Sequence, residues 1–219
     1  MREAQANAIH LKDYTPPAFS VDTVELDVDI RDDHALVRAK LLLRRNAPGP
    51  LLLDGDELQL VSLLVDGKEA PHSVTAEKLT IPDVPDRFTL ETVTRIVPQK
   101  NTKLEGLYAT KHGFVTQCEA QGFRRITWFI DRPDVMARYT VTVRADQKKY
   151  PVLLSNGNLV ASGENWARFE DPFPKPSYLF ALVAANLEVL QEENLYIYVE
   201  PGKLDQAAWA MDCLKRAIA

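Results

Sequence analysis

The sequence predicts a mainly β protein, in which antiparallel sheets are followed near the carboxyl end by one amphipathic helix. Short stretches of alternating apolar and polar residues recur along the chain, and a period of two is typical of half-buried strands. Turn dipeptides such as Asp54-Gly55 and Asp66-Gly67, together with 14 prolines, separate these stretches. Helical spacing is confined to the last residues, so strands form the bulk of the predicted fold.

The first strand is predicted at Val24–Ile30, where apolar and acidic residues alternate strictly. Ala35–Arg44 is its predicted partner. Further strands are predicted, in chain order, at Leu58–Val65, Leu79–Ile81, Phe88–Leu90, Tyr139–Val143 and Trp166–Phe169. Many of these residues are β-branched or aromatic, and such side chains suit a pleated surface.

The middle of the chain contains the strongest turn signals. Asn156-Gly157 lies between two apolar runs and predicts a hairpin whose two strands pair with each other. The segment 171–176, DPFPKP, can be neither helix nor central strand because of its prolines. We interpret it as a rigid connector, with a proline-rich ligand segment as the alternative. Every residue of Tyr178–Val183 is apolar or aromatic, so both faces of a strand formed there would be apolar, which predicts a fully buried strand.

The pattern changes near residue 190. Leu195–Val199 is predicted as one more strand, and a helix follows Pro201-Gly202. Its apolar face is predicted from residues at helical spacing, namely Leu204, Ala208, Met211, Leu214 and Ile218. This strand and helix look like the start of a second domain. The predicted organisation is therefore an amino-terminal β domain at residues 1–190 and a stub at residues 191–219.

Composition excludes several classes of protein. A chain of 219 residues with 46% hydrophobic residues can fill a core, which excludes disordered and collagen-like proteins. The net charge of −5, with both signs mixed, predicts no nucleic-acid partner. No run approaches the roughly 20 apolar residues of a membrane helix, so no membrane partner is expected. Two distant cysteines and a polar amino terminus favour a cytoplasmic protein.

Three common catalytic or metal-binding motifs do not occur in the sequence. The four histidines are not spaced as metal ligands, and there is no HExxH, CxxC or P-loop pattern. The sequence therefore predicts no catalytic residue, no metal site and no cofactor within this chain.

Three segments carry a resemblance to a known family. They read LEGLYATKHGFVTQCEAQGFRRITWFIDRPDVMAR at 104–138, YPVLLSNGN at 150–158 and DPFPKPSYLFALVA at 171–184. In this order they resemble the amino-terminal domain of bacterial aminopeptidases in the gluzincin zinc metallo-aminopeptidase family. The resemblance implies a saddle-like β-sheet domain that packs on a separate, zinc-binding catalytic domain. It also implies that zinc belongs to the full-length enzyme, and that this chain, without the catalytic domain, is inactive alone.

The resemblance also implies one substrate-binding site. In the family, the glutamate of a TQCEA motif projects into the active-site cleft and binds the free α-amino group of a peptide. The matching residue is Glu119, with Gln117 as its neighbour in the cleft, whereas Gln121 replaces an acidic residue of the family. If 117–119 is extended, Gln117 and Glu119 share a face and Cys118 points the opposite way. The plain alternative is a solvated glutamate at a strand end.

Charged and aromatic residues near this motif have simpler interpretations. Arg124 and Arg125 are expected to pair with Asp131, Asp134 or Glu119 on a mixed-charge surface, and the turn 131–134 would order the cleft loop from behind. Among the tryptophans, Trp128 and Trp166 are predicted to pack in the core or between domains, and Trp209 is predicted to lie on a docking surface for the absent domain.

The predicted function is the amino-terminal part of a zinc aminopeptidase that removes single residues from peptide amino termini. This part caps the cleft and supplies a carboxylate to the substrate, and its partners are the peptide and the missing catalytic domain. The alternative is a non-catalytic β-sheet module for protein interaction or scaffolding. A carbohydrate- or peptide-binding sandwich is a weaker option, because no specific aromatic platform is evident.

Overall fold

The computed structural model describes residues 10–218, most of which lie in strands. The strands of the first half are β1 (Phe19–Ile30), β2 (Ala35–Arg45), β3 (Leu51–Asp54), β4 (Gln59–Val65), β5 (Lys68–Glu69), β6 (Ser73–Val74), β7 (Lys78–Ile81), β8 (Arg87–Ile96), β9 (Gly106–Thr110) and β10 (Gly113–Gln117). Those of the second half are β11 (Met136–Arg144), β12 (Val152–Ser155), β13 (Asn158–Gly163), β14 (Trp166–Pro176), β15 (Leu182–Ala185), β16 (Glu188–Glu192) and β17 (Leu195–Val199). The α-helix α1 is Ala207–Ile218, and short 3-10 helices occur at Leu11–Asp13, Pro98–Lys100, Phe123–Arg125, Ser177–Leu179 and Leu204–Gln206. The mainly β fold class is confirmed.

The largest sheet has eight strands in the order β13-β14-β11-β1-β2-β8-β4-β5. Its strands alternate as the sequence predicts, and in β1 the apolar side chains from Val24 to Ile30 are buried while Glu25 is exposed. One strand pair differs from the predicted antiparallel arrangement, because β1 runs parallel to β11. A parallel pair needs a long connection, and all of β2 to β10 lies between these two strands.

Smaller sheets complete the fold. One has the order β12-β15-β10-β9, another has the order β3-β7-β6, and β16 pairs with β17. Asp54 at the end of β3 exchanges two backbone hydrogen bonds with Phe129, with N–O distances of 2.7 and 3.1 Å.

Trp128 is buried, with 1% of its surface exposed, as predicted, whereas Trp166 is only half-buried.

The predicted hairpin at Asn156-Gly157 is wrong, because β12 and β13 do not pair with each other. β12 joins β15, whereas β13 joins β14 in the large sheet. The Asn156 side chain explains the different outcome, since its amide donates to the Leu179 carbonyl at 3.1 Å and accepts from the Ala181 N–H at 2.7 Å. The turn therefore connects two sheets instead of closing a hairpin.

The proline-rich segment is part of a strand, so the prediction of a connector is wrong. β14 runs through Pro176 and pairs with β11, where Lys175 lies opposite Ala137. β13 covers β14 only as far as Glu170. Beyond that residue the segment lies at the edge of the sheet, the position in which strands tolerate proline. The segment is therefore neither a helix nor a central strand, as predicted.

The buried strand predicted at Tyr178–Val183 is shorter than expected. Only Leu182–Ala185 forms a strand, and it is preceded by the 3-10 helix Ser177–Leu179, in which Leu179 is exposed. An apolar run does not distinguish a strand from a helical turn.

The carboxyl-terminal strand and helix form where the sequence predicts them. β17 pairs with β16, so this two-stranded sheet lies on both sides of the proposed boundary at residue 190, which stays a prediction. Helix α1 contacts both strands, and it buries Ala207 and Met211 but exposes Ala208 and Ile218. Leu204 lies in the preceding 3-10 helix and is also exposed. The buried side of the helix is therefore narrower than the predicted apolar face. Within residues 10–218, no helix is long and apolar enough to cross a membrane.

Trp209 is the most exposed tryptophan in this structure, with 76% of its surface accessible, against 1% for Trp128. We expect Trp209→Phe in the purified chain to remove the red-shifted part of the fluorescence that acrylamide quenches most strongly. The remaining emission should be blue-shifted, because Trp128 lies in an apolar interior. If quenching were unchanged by the substitution, Trp209 would be covered, and its use as a docking residue would lose support.

Candidate functional site

The residues predicted to bind substrate lie at the end of β10. Gln117 is the last residue of that strand, and residues 118–122 form a tight loop, which we call the Glu119 loop. Gly122 N–H donates to the Cys118 carbonyl at 2.8 Å and closes the loop, in which the Glu119–Ala120 peptide bond is cis. Gln117 and Glu119 are exposed and Cys118 is buried, which is the predicted alternation.

Two glycines allow the base of this loop to pack backbone against backbone. A Cβ atom on Gly122 would lie 2.5 Å from the Gln117 carbonyl oxygen and 2.9 Å from the Gly106 nitrogen. A Cβ on Gly106, whose φ is +71°, would lie 2.7 Å from the Cβ of Arg125. The start of β9 thus holds the loop from one side, and Glu119 projects from a closely packed base.

Arg124, just after the loop, is held by Asp131, as the sequence predicts. The Asp131 carboxylate accepts from the Arg124 backbone N–H at 3.1 Å and from Nε at 3.0 Å. Arg124 also donates to the Asp131 carbonyl at 3.1 Å, and its own carbonyl accepts from the Asp56 N–H at 3.0 Å. Asp131 therefore acts on both the backbone and the side chain of Arg124.

Arg125 has other partners than those predicted. Its buried guanidinium contacts Asp56, lies 2.8 Å from the Glu57 carboxylate and lies 3.4 Å from that of Glu105. Hydrogen bonds from Arg125 and Lys103 lower the pKa of Glu57. The prediction fails because the connection from β3 to β4 folds back against residues 123–125, which no local pattern indicates.

Asp134 also has a different partner from those proposed. Its carboxylate forms an ion pair with Arg132 at 2.6 Å and accepts from the Tyr14 hydroxyl at 3.0 Å. The hydrogen bond from Arg132 lowers the pKa of Asp134. Sequence reasoning missed Asp54, Asp56 and Ser177 as members of this region; Asp54-Gly55 was visible only as a turn signal.

Cys118 is a structural residue in this arrangement. Its side chain is buried, and burial raises the pKa of the thiol far above its ordinary value. Cys213 is free and exposed. Because the thiolate is the reactive form, we expect a thiol reagent at neutral pH to modify one cysteine rapidly in the native chain and both in denaturant. Cys213→Ser should abolish the rapid phase; a rapid phase in that variant would contradict the burial of Cys118.

A zinc site is not formed by this part of the protein. Within residues 10–218, no group of three or more histidine, cysteine, aspartate or glutamate side chains is placed to hold a metal ion. The carboxylates of Asp56, Glu57 and Asp131 form ion pairs with Arg124 or Arg125. The feature of this loop that bears on binding is the exposed Glu119 carboxylate.

Comparisons with known proteins bear on this site. Residues 54–179 match the family model described as the peptidase M1 N-terminal domain. The chain is 46% identical to aminopeptidase N of Caulobacter vibrioides over 237 aligned positions, covering 100% of this chain and 27% of that protein. It is 42% identical to aminopeptidase N of Escherichia coli K12, covering 98% of this chain and 27% of that protein. The chain thus spans about a quarter of the length of these relatives.

Solved structures show the same fold. Legionella pneumophila aminopeptidase A, crystallised with aspartic acid, has a TM-score of 0.86 and 33% identity, covering 94% of this chain and 27% of that chain. Native leukotriene A4 hydrolase from Saccharomyces cerevisiae has a TM-score of 0.73 and 20% identity, covering 88% of this chain and 33% of that chain. At that lower identity the second likeness concerns the fold alone.

Proposed function

Because this chain belongs to the peptidase M1 family, of which it carries the amino-terminal domain, we propose that it is the amino-terminal part of a zinc aminopeptidase. The enzyme removes single residues from the amino termini of peptides, and this part caps its active-site cleft. Support comes from the names of three relatives, which are each called aminopeptidase N and match between 97% and 100% of this chain.

The proposed task of this part is to bind the substrate's free α-amino group. Glu119 is the residue assigned to it, and Gln117 lies beside it in the cleft. The observation that carries this assignment is an exposed carboxylate on a closely packed loop, with Gln117 exposed next to it and Cys118 buried behind. A carboxylate binds an ammonium group through charge-assisted hydrogen bonds. When Glu119 binds the amino terminus, the distance from Glu119 to the first peptide bond of the substrate is fixed. Only that first bond is then placed for cleavage, so one residue is removed at a time.

Zinc belongs, in this proposal, to the complete enzyme and to ligands outside residues 10–218. No catalytic residue is assigned to this chain, whose contribution is binding and orientation. We also propose a cytoplasmic location, which is supported by two free cysteines in a chain that needs no disulfide to fill its core.

The test is an assay of the complete gene product. We expect hydrolysis of an aminoacyl p-nitroanilide, loss of more than nine-tenths of that activity after removal of metal with 1,10-phenanthroline, and its return on addition of zinc. The N-acetylated substrate is the matched control and should not be cleaved, since it lacks the ammonium group. Absence of hydrolysis by the zinc-loaded protein would contradict the proposal and favour a non-catalytic interaction or scaffold module.

A further inference from the structure

We propose that Asp131 is a positioning residue for Glu119: its buried carboxylate joins the two ends of the Glu119 loop through Arg124 and Ser177. This inference rests on the proposed function for the role of Glu119. The connection itself follows from contacts on both sides of residues 118–122.

The carboxyl side of the loop is held by Asp131 directly. Arg124 lies two residues after Gly122, and Asp131 accepts hydrogen bonds from its backbone N–H and its Nε at 3.1 and 3.0 Å. Because one of these bonds is to the backbone, the carboxylate fixes the path of the chain as it leaves the loop, and the second bond adds a charge-assisted contact.

The amino side of the loop is held by Thr116, the residue before Gln117. Its hydroxyl accepts from the Leu182 N–H at 2.8 Å and lies 3.4 Å from the Leu182 carbonyl. Leu182 begins β15, which pairs with β10. The strand that carries Gln117 is thus tied to the segment that follows β14.

Ser177 connects this segment to Asp131. Its hydroxyl donates to the second carboxylate oxygen of Asp131 at 2.6 Å, and both side chains are buried. Ser177 begins the 3-10 helix that leads to Leu182. The contacts therefore form a closed path, from Thr116 through Leu182 and Ser177 to Asp131 and Arg124, with the Glu119 loop between its two ends.

Asp131 is itself fixed in this path. Its backbone N–H donates to a carboxylate oxygen of Asp54 at 3.1 Å. Asp54 in turn contacts Lys78 and lies 3.8 Å from an Arg124 nitrogen. A buried carboxylate is stable only when its oxygens are hydrogen-bonded, and the oxygens of Asp131 accept from two segments that flank the loop. Loosening one of these contacts should let the loop, and with it Glu119, move.

The first experiment measures the loop in the purified chain. Ser177→Ala removes one donor to Asp131 and keeps the charge pair with Arg124, so the variant should fold even if Asp131→Asn does not. We expect hydrogen exchange of the Gly122 amide to become about 3- to 10-fold faster, since one hydrogen bond is lost from the path, while amides of β1 and β2 stay unchanged.

The matched control is Ser155→Ala. The Ser155 hydroxyl donates to the Ala181 carbonyl at 2.8 Å, so it binds the same connecting segment without contacting Asp131. Exchange of the Gly122 amide should stay as in the wild type. Equal acceleration in both serine variants, or none in Ser177→Ala, would overturn the role of Asp131. This measurement needs no enzymatic activity, so it tests the role of Asp131 independently of the proposed function.

The second experiment links the loop to the substrate in the complete enzyme. Ser177→Ala should raise KM for free-amine substrates about 3- to 10-fold and leave kcat nearly unchanged. In a Glu119→Gln background the same substitution should change KM by less than about 2-fold, because the group it positions has lost its charge. An equal effect in both backgrounds would show a merely structural role and would contradict the proposal.

Discussion

Glu119→Gln in the complete enzyme is expected to lower kcat/KM for peptides with a free amino terminus by about 10- to 100-fold. The substitution keeps the size of the side chain and removes the charge, and a hydrogen bond to a charged group contributes about 1.5–3 kcal/mol. Each 1.4 kcal/mol corresponds to about a factor of ten in an equilibrium constant. The loss should lie mainly in KM, because Glu119 binds the amino group and does not take part in bond cleavage. Steady-state kinetics with a series of dipeptides measures it.

The control for this prediction is Glu164→Gln. Glu164 is an exposed glutamate in the turn between β13 and β14. This variant should keep wild-type kinetics, since it changes the net charge of the protein by the same amount. Indistinguishable kinetics for Glu119→Gln and the wild type would remove Glu119 from the binding site.

Phe123→Ala should lower the free energy of unfolding of the chain by about 3–5 kcal/mol, the usual cost of deleting a buried aromatic ring. Phe123 is fully buried. Its ring centroid lies 5.0 Å from that of Phe129 and 5.2 Å from that of Phe180, in edge-to-face arrangements. The cavity would open directly behind the Glu119 loop, where the surrounding strands cannot close it. Urea unfolding followed by circular dichroism gives the difference.

Phe173→Ala is the matched control for the stability prediction. Phe173 has 75% of its surface exposed on the edge portion of β14, and exposed substitutions usually change stability by less than about 0.5 kcal/mol. The same residue type is deleted in both variants, so the difference between them reports burial. Similar losses in the two variants would mean that Phe123 is not part of the core.

The position of most strands could be read from the sequence, because alternation is a local property. Val24 to Ile30 must present its apolar side chains to one face wherever the strand lies in the sheet. Gln117 and Glu119 are exposed around a buried Cys118 as that rule predicts, although Glu119 lies in a turn beyond the end of β10. The family resemblance then located the Glu119 loop among many exposed glutamates, which residue chemistry by itself could not do.

The partners of Arg125 show why the rest of the site could not be predicted. Asp56 and Glu57 precede it by more than sixty residues, and nothing near either end of that interval indicates the contact. Ser177 and Asp131 are likewise brought together by the path of β14 and β11. Such contacts depend on which strands become neighbours, and that choice is made by the packing of the whole chain.

The sequence by itself determined the fold class, the faces of the strands and the position of the helix. The tertiary structure decided the parallel pairing of β1 with β11, the separation of β12 from β13 at Asn156-Gly157, and the entry of the DPFPKP segment into a strand. The physical reason is one of range. Side-chain alternation and turn chemistry act over a few residues, whereas strand order and register are set by the burial of one common core, to which residues from the whole chain contribute.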